Sequence, residues 1–207
     1  MHRRRAEILG VVLALGTVSA TVSASDSRWP LTVCLAVSPA LTITSSQKTA
    51  VLAEVNAIWQ THGVVVQQTW EDEACDRFIV VKSDVEARPE DVSPTMALAW
   101  VPFVQGRARQ LVFVRVSRAR TLIDGLSHGT RPEGLTDLLV AKLVGRSLGH
   151  ELGHVLLNTK AHQTTGLMRA RYRADEVLHD PPASYTLDAE QRARLFAANA
   201  DTRIARR

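Results

Sequence analysis

RSLGHELGHVLLNTKAHQTTGLM, residues 146–168, is the stretch on which the reading of the chain turns. Its first half belongs to Leu135–Leu157, a segment without proline whose apolar residues recur with helical periodicity. On such a helix His150 and His154 stand on one face, about 6 Å apart along the axis. Two imidazoles so placed can share one tetrahedral zinc ion. Glu151 is turned about 100° from His150, close enough to contact a water at the metal without itself coordinating. H-E-x-x-H needs its spacing for that reason. The plain alternative is two surface histidines beside a salt-bridging glutamate. The long helix around the motif and the strands before it favour the metal site.

A catalytic zinc takes a third protein ligand and keeps one position open. His162 is the nearest candidate. It requires the helix to stop soon after Leu157 and the chain to turn back, and Asn158 suits that stop because asparagine tolerates the left-handed conformation found past helix ends. Asp175, Glu176 and His179 are the competing ligands, although Pro181 and Pro182 argue against a helix continuing from Asp175. Gly145, Gly149 and Gly153 recur every four residues beside the histidine face, each costing about 1 kcal/mol of helix propensity relative to alanine. Their stripe predicts a closely packed neighbour, for which the loop after the helix is the best candidate.

Upstream of the helix, Leu31–Val37 reads as a β-strand. A helix capped by Ser45 or Ser46 follows and runs to about His62, with Val51, Leu52, Val55, Ile58 and Trp59 as its apolar stripe. Val64–Trp70 and Phe78–Lys82 are further strands, and Ser83–Thr95 is a loop. Met96–Val104 is a short strand placed at a sheet edge by Pro102, and Leu111–Val116 is another strand. Ser117–Gly134, with three glycines and a proline, reads as a long loop. Beyond the long helix, residues 158–186 read as mostly irregular, and Leu187–Asn199 as a final helix begun near Asp188. The order predicts an α+β domain: one mixed, twisted sheet with an edge strand, a backing helix, the long site helix and a C-terminal helix.

Residues 1–24 read differently. A basic start, Met1–Arg5, precedes an almost uncharged run ending in Val22-Ser23-Ala24, which predicts a signal peptide cleaved after Ala24, or after Ala20. A retained anchor is the alternative, for which the run is short. Residues 25–207 then form a single domain, exported to the periplasm or beyond. In an oxidising compartment Cys34 and Cys75 are expected to form one disulfide. The chain's net charge of +4 falls to +2 once three arginines and one glutamate leave with the leader. The arginine clusters at 169–173 and 203–207 lack interleaved aromatics, which speaks against a nucleic-acid partner.

With HELGH at 150–154 and Gly166-Leu167-Met168 after it, the sequence resembles the metzincin group of zinc endopeptidases, whose pattern is H-E-x-x-H-x-x-G-x-x-H followed by a methionine-bearing turn. Two positions depart from it: Leu157 stands at the glycine and Lys160 at the third histidine. A two-residue extension that brings in His162, with Asn158 in the glycine's backbone role, restores the pattern. The resemblance implies a zincin-type fold, one zinc ion held by His150, His154 and His162, and Glu151 as general base for a zinc-activated water. It implies Met168 as an apolar floor and peptides or proteins as substrates. Tyr172, following the turn, is a candidate stabiliser of the tetrahedral transition state. A substrate strand is expected along Ala97–Val101. A monomer is expected. A secreted zinc-binding protein without turnover, and a gluzincin-type site with a downstream acid as third ligand, are the alternative readings.

Overall fold

The β-branched run Leu31–Val37 is strand β1, and all but one of its residues are buried. It lacks the alternation of a half-exposed strand because both its faces are covered. A computed structural model describes residues 30–69, 75–91, 97–126 and 132–204. After β1 come helix α1 (Ser45–Trp59), a 3-10 turn at Gln60–His62, β2 (Val64–Gln68) and β3 (Arg77–Ser83). The short strands β4 (Ala99–Trp100), β5 (Phe103–Val104) and β6 (Arg107–Ala108) lead to β7 (Leu111–Val114). Four helices complete the described chain: α2 (Val116–Gly125), α3 (Glu133–Leu156), α4 (Ala174–His179) and α5 (Ala189–Ile204).

The main sheet has the order β2-β1-β3-β7-β4. β2, β1, β3 and β7 run parallel, and β4 pairs antiparallel with β7 at the edge. This is the expected α+β arrangement, with its edge strand, backing helix α1, long helix α3 and terminal helix α5. The edge strand is shorter than expected. Pro102 follows it and has no N–H for a ladder, and the chain turns instead into a β5–β6 hairpin through Gln105 and Gly106, whose φ angles are 49° and 78°. Two left-handed residues are what a tight two-residue hairpin requires.

Three sequence expectations are corrected. α1 is capped by Thr44 rather than Ser45 or Ser46: its hydroxyl accepts from Gln47 N–H, while the Gln47 side chain accepts from Thr44 N–H. The stretch from Ser117 is not all loop, since α2 buries Val116, Ala119 and Ile123 at helical spacing. Gly125 closes α2, Pro132 is the N-cap of α3 and Gly134 lies in its first turn, while Gly129 lies outside the described residues. The glycine stripe of α3 faces mainly α1 rather than the later loop. A Cβ on Gly145 would lie 2.8 Å from Glu54 Cβ and 3.0 Å from the Val51 carbonyl, and one on Gly149 would lie 3.2 Å from Ile58. Only Gly153 meets the later loop, where a Cβ would lie 2.3 Å from Met168 Sδ.

Arg146, on α3, is 2% exposed. It pairs with Glu54 of α1 at 2.5 Å, donates to the carbonyls of Val177 and Asp180 and to the Tyr185 hydroxyl, and lies over the Tyr185 ring. One buried guanidinium therefore ties α1, α3, α4 and the segment after α4 together. Cys34 and Cys75 form the expected disulfide, anchoring the chain before β3 to β1. Among the described residues no helix is long and apolar enough to cross a membrane. The leader with Ala20 and Ala24, and Trp70 and Met96 at the ends of expected strands, lie outside the described residues.

Candidate metal centre

α3 ends where the sequence places its stop. Leu157 is its C-cap, and Asn158 adopts φ 46°. The Asn158 side chain accepts from Ala108 N–H at 2.9 Å, which pins the β5–β6 hairpin to the helix end. The chain then doubles back. Gln163 N–H donates to the Met168 carbonyl at 2.8 Å, and Leu167 N–H to the Thr186 carbonyl at 2.8 Å. Gly166, at φ 72°, has the Thr186 carbonyl where a Cβ would stand. These bonds close the turn at 163–168 and tie it to Thr186, while Thr159 N–H donates to the His154 carbonyl at the end of α3.

The result is a convergence of three imidazoles. His154 Nε2 lies 3.1 Å from His150 Nε2 and 3.2 Å from His162 Nε2, and the ligand atoms of the three all lie within 4.8 Å of one another. His154 is buried, His150 half-buried and His162 exposed. His150 Nδ1 is 2.7 Å from the Leu167 carbonyl, and His154 Nδ1 is 2.7 Å from the Thr159 carbonyl. A carbonyl only accepts, so each Nδ1 carries the proton and donates it. Each Nε2 is then a bare lone pair, and two lone pairs 3.1 Å apart cannot hydrogen-bond to each other. A cation between them resolves the repulsion. Nitrogens about 2.1 Å from a tetrahedral zinc lie roughly 3.4 Å apart, close to the two separations from His154. Neutral imidazoles are also the form the environment favours. Burial first, then the neighbouring histidines, depresses His150 to about 3. Burial likewise takes His154 to about 4.

Glu151 is on the adjacent flank of the helix and is not among the converging ligand atoms. Burial raises its carboxyl to about 8, opposed by a hydrogen bond from the Val101 backbone. A cation held by the flanking histidines adds to that opposition and favours the carboxylate. Met168 is fully buried and packs on Gly153, beside His154.

Tyr172 reaches the same loop from the other side. Its hydroxyl lies 2.7 Å from the Gly166 carbonyl and 2.6 Å from the Leu167 carbonyl, and its ring stands edge-on to His150. The phenolic proton is thus spent on the turn, and the Leu167 carbonyl receives both Tyr172 and His150. The alternative third ligands lie elsewhere in their bonding. Asp175 pairs with Arg173, and Glu176 pairs with Arg169 while capping α4. His179 bonds the Asp175 carbonyl. None joins the cluster.

Some of this escapes a reading of the sequence. The Leu167 and Thr159 carbonyls that orient the histidines are backbone atoms with no signature. Phe103, 6.3 Å from the His154 ring, comes from a hairpin distant in sequence. Arg146 was open to detection as a cation inside an apolar helical stripe.

No family model and no curated protein matches the chain. Among solved structures it is similar to an archaemetzincin from Methanopyrus kandleri, with 14% identity over 81% of this chain and 94% of that one and a TM-score of 0.45. It is also similar to a zinc-dependent peptidase from Methanocorpusculum labreanum, with 9% identity over 79% of this chain and 99% of that one and a TM-score of 0.48. Both likenesses are distant, and the chemistry of the site rests on its own geometry.

Proposed function

We propose that this chain is an exported, zinc-dependent peptidase of the metzincin type. The observation that carries the reading is the pair of facing Nε2 lone pairs on His150 and His154, fixed by two carbonyls and joined by His162, with Glu151 alongside. His150, His154 and His162 hold the ion through Nε2. When bound, zinc supplies Lewis-acid polarisation of a carbonyl and acidification of water.

The chain's own groups do the rest. Glu151 takes the proton of the attacking water and passes it to the leaving amine, the work of a single general acid–base group. Its burial keeps bulk water from competing for that proton. The outer edge of β4 gives an extended peptide a strand to pair with, which sets the scissile bond beside Glu151. Tyr172 and Met168 hold the turn that orients His150. The Cys34–Cys75 bridge suits an oxidising compartment, as export requires.

Metal analysis and peptide hydrolysis on the same samples test the reading. Wild type is expected to carry one zinc per chain and to cleave a denatured protein. His162→Ala is expected to lose both properties. Glu151→Gln is expected to keep its zinc while activity falls about 100-fold to 10,000-fold. Full activity in Glu151→Gln, or in metal-free protein, would reject it.

A further inference from the structure

Lys160 occupies the position at which the resembled pattern places its third histidine, and the structure gives it another occupation. Its ammonium lies 5.0 Å from the centre of the Phe103 ring, and that ring stands edge-on to His154 at 6.3 Å. Phe103 is held in place from both sides. It pairs with Ala108 across the hairpin, and Ala108 N–H is tied to the Asn158 side chain at the end of α3. A cation over an aromatic face is stabilised by the ring quadrupole, so the ammonium is held near the metal centre rather than sweeping through solvent. Lys160 is exposed, and among the described residues no carboxylate pairs with it. The only acid in the motif, Glu151, is bound to the Val101 backbone on the neighbouring flank. This wall of the centre therefore presents a fixed positive charge on an apolar platform.

The direction of the chain decides which part of a substrate meets it. Val101 lies at Glu151 and Phe103 at His154, so the backbone leaving β4 advances along α3 in the same sense as the helix. A peptide added antiparallel to the edge strand runs the opposite way, in the pairing that is slightly the more stable per residue. Its residues before the scissile bond then lie over Phe103 and Lys160, and those after it lie toward Ala99.

We infer that Lys160, seated on Phe103, makes this site select peptides bearing a carboxylate side chain one or two residues before the scissile bond. The inference rests on the peptidase reading above and names its substrate class. Lys160 is a specificity residue and takes no part in bond breaking.

A peptide mixture of balanced composition, digested with zinc-loaded protein and with its cleavage positions read by mass spectrometry, provides the test. Wild type is expected to enrich Asp and Glu in the two positions before the cut by about threefold to fivefold, the upper part of the range an exposed ion pair supplies. Lys160→Gln should erase the enrichment, and Lys160→Glu should turn it toward Lys and Arg. Zinc content should stay equal in all three proteins. Cleavage without charge preference, a preference located after the cut, or an enrichment that survives in Lys160→Glu would overturn this inference and leave the peptidase reading intact. A protein that holds zinc and cuts no member of the mixture would overturn both.

Discussion

At the scale of single residues, the centre depends on hydrogen bonds that decide which nitrogen is free. His150 and His154 each give up Nδ1–H to a main-chain carbonyl, which turns Nε2 toward the shared point. Partners of this kind behind metal ligands fix both ring orientation and tautomer. Tyr172 adds one more layer, because its hydroxyl bonds the carbonyl that receives His150. Tyr172→Phe keeps the ring contacts with His150 and Tyr185 and removes only the hydroxyl's bonds to the Gly166 and Leu167 carbonyls. It is expected to weaken zinc affinity by about tenfold or more, in the range seen when such outer partners are removed. Competition against a chromophoric chelator measures it. An unchanged affinity combined with a fall in kcat alone would return Tyr172 to the transition-state role.

At the scale of elements, the stripe of small residues on α3 determines how near α1 can lie. Gly145 faces the Val51 carbonyl and Glu54 Cβ, and the backbone of a packed helix cannot yield as a side-chain tip can. Gly145→Val is therefore expected to force the helices apart and to cost about 1–3 kcal/mol, in the range of overpacked cores. Chemical denaturation would read it as a lower midpoint with an unchanged slope. Arg146 is the second device at this scale. Because it is buried and bonded on several sides, Arg146→Leu strands Glu54 and frees the Val177 and Asp180 carbonyls. Removing one partner of a buried pair costs about 3–5 kcal/mol, so this variant is expected to lose more stability than Gly145→Val. Calorimetry on the two proteins compares them directly, and near-equal melting temperatures would contradict the ranking.

At the scale of the whole molecule, the disulfide and the histidine cluster lie in different parts of the fold. Cys34 and Cys75 are 41 residues apart in sequence, and the bridge closes a loop through α1 and β2. Chain-entropy reasoning puts its contribution at about 4 kcal/mol. A metal held by His150, His154 and His162 would act at the other end of the chain, joining α3 to the loop beyond it. Reduction and chelation are accordingly expected to lower the melting temperature separately, with nearly additive effects, since the two sites share no residues. His162→Ala should abolish the response to chelator and leave the response to reductant. A zinc-independent melting temperature in the wild type would contradict the assignment.

Much of this architecture is written along the chain. The β-branched run at 31–37 demands a buried strand, and the periodicity of 135–157 demands a long amphipathic helix. The spacing of His150 and His154 places two ligands on one face wherever that helix packs. Asn158 announces the reversal, because few other side chains accept a left-handed backbone. Other features become visible only once distant segments meet. α2 was hidden because its glycine and proline boundaries resemble a loop to a local reading. The neighbour of the glycine stripe, the carbonyls that fix the imidazoles, and the placing of Lys160 on Phe103 all depend on contacts between residues far apart in sequence. Local sequence sets which conformations a segment prefers and which face it must hide. Which other segment covers that face is decided by packing across the whole chain, and no local pattern carries it.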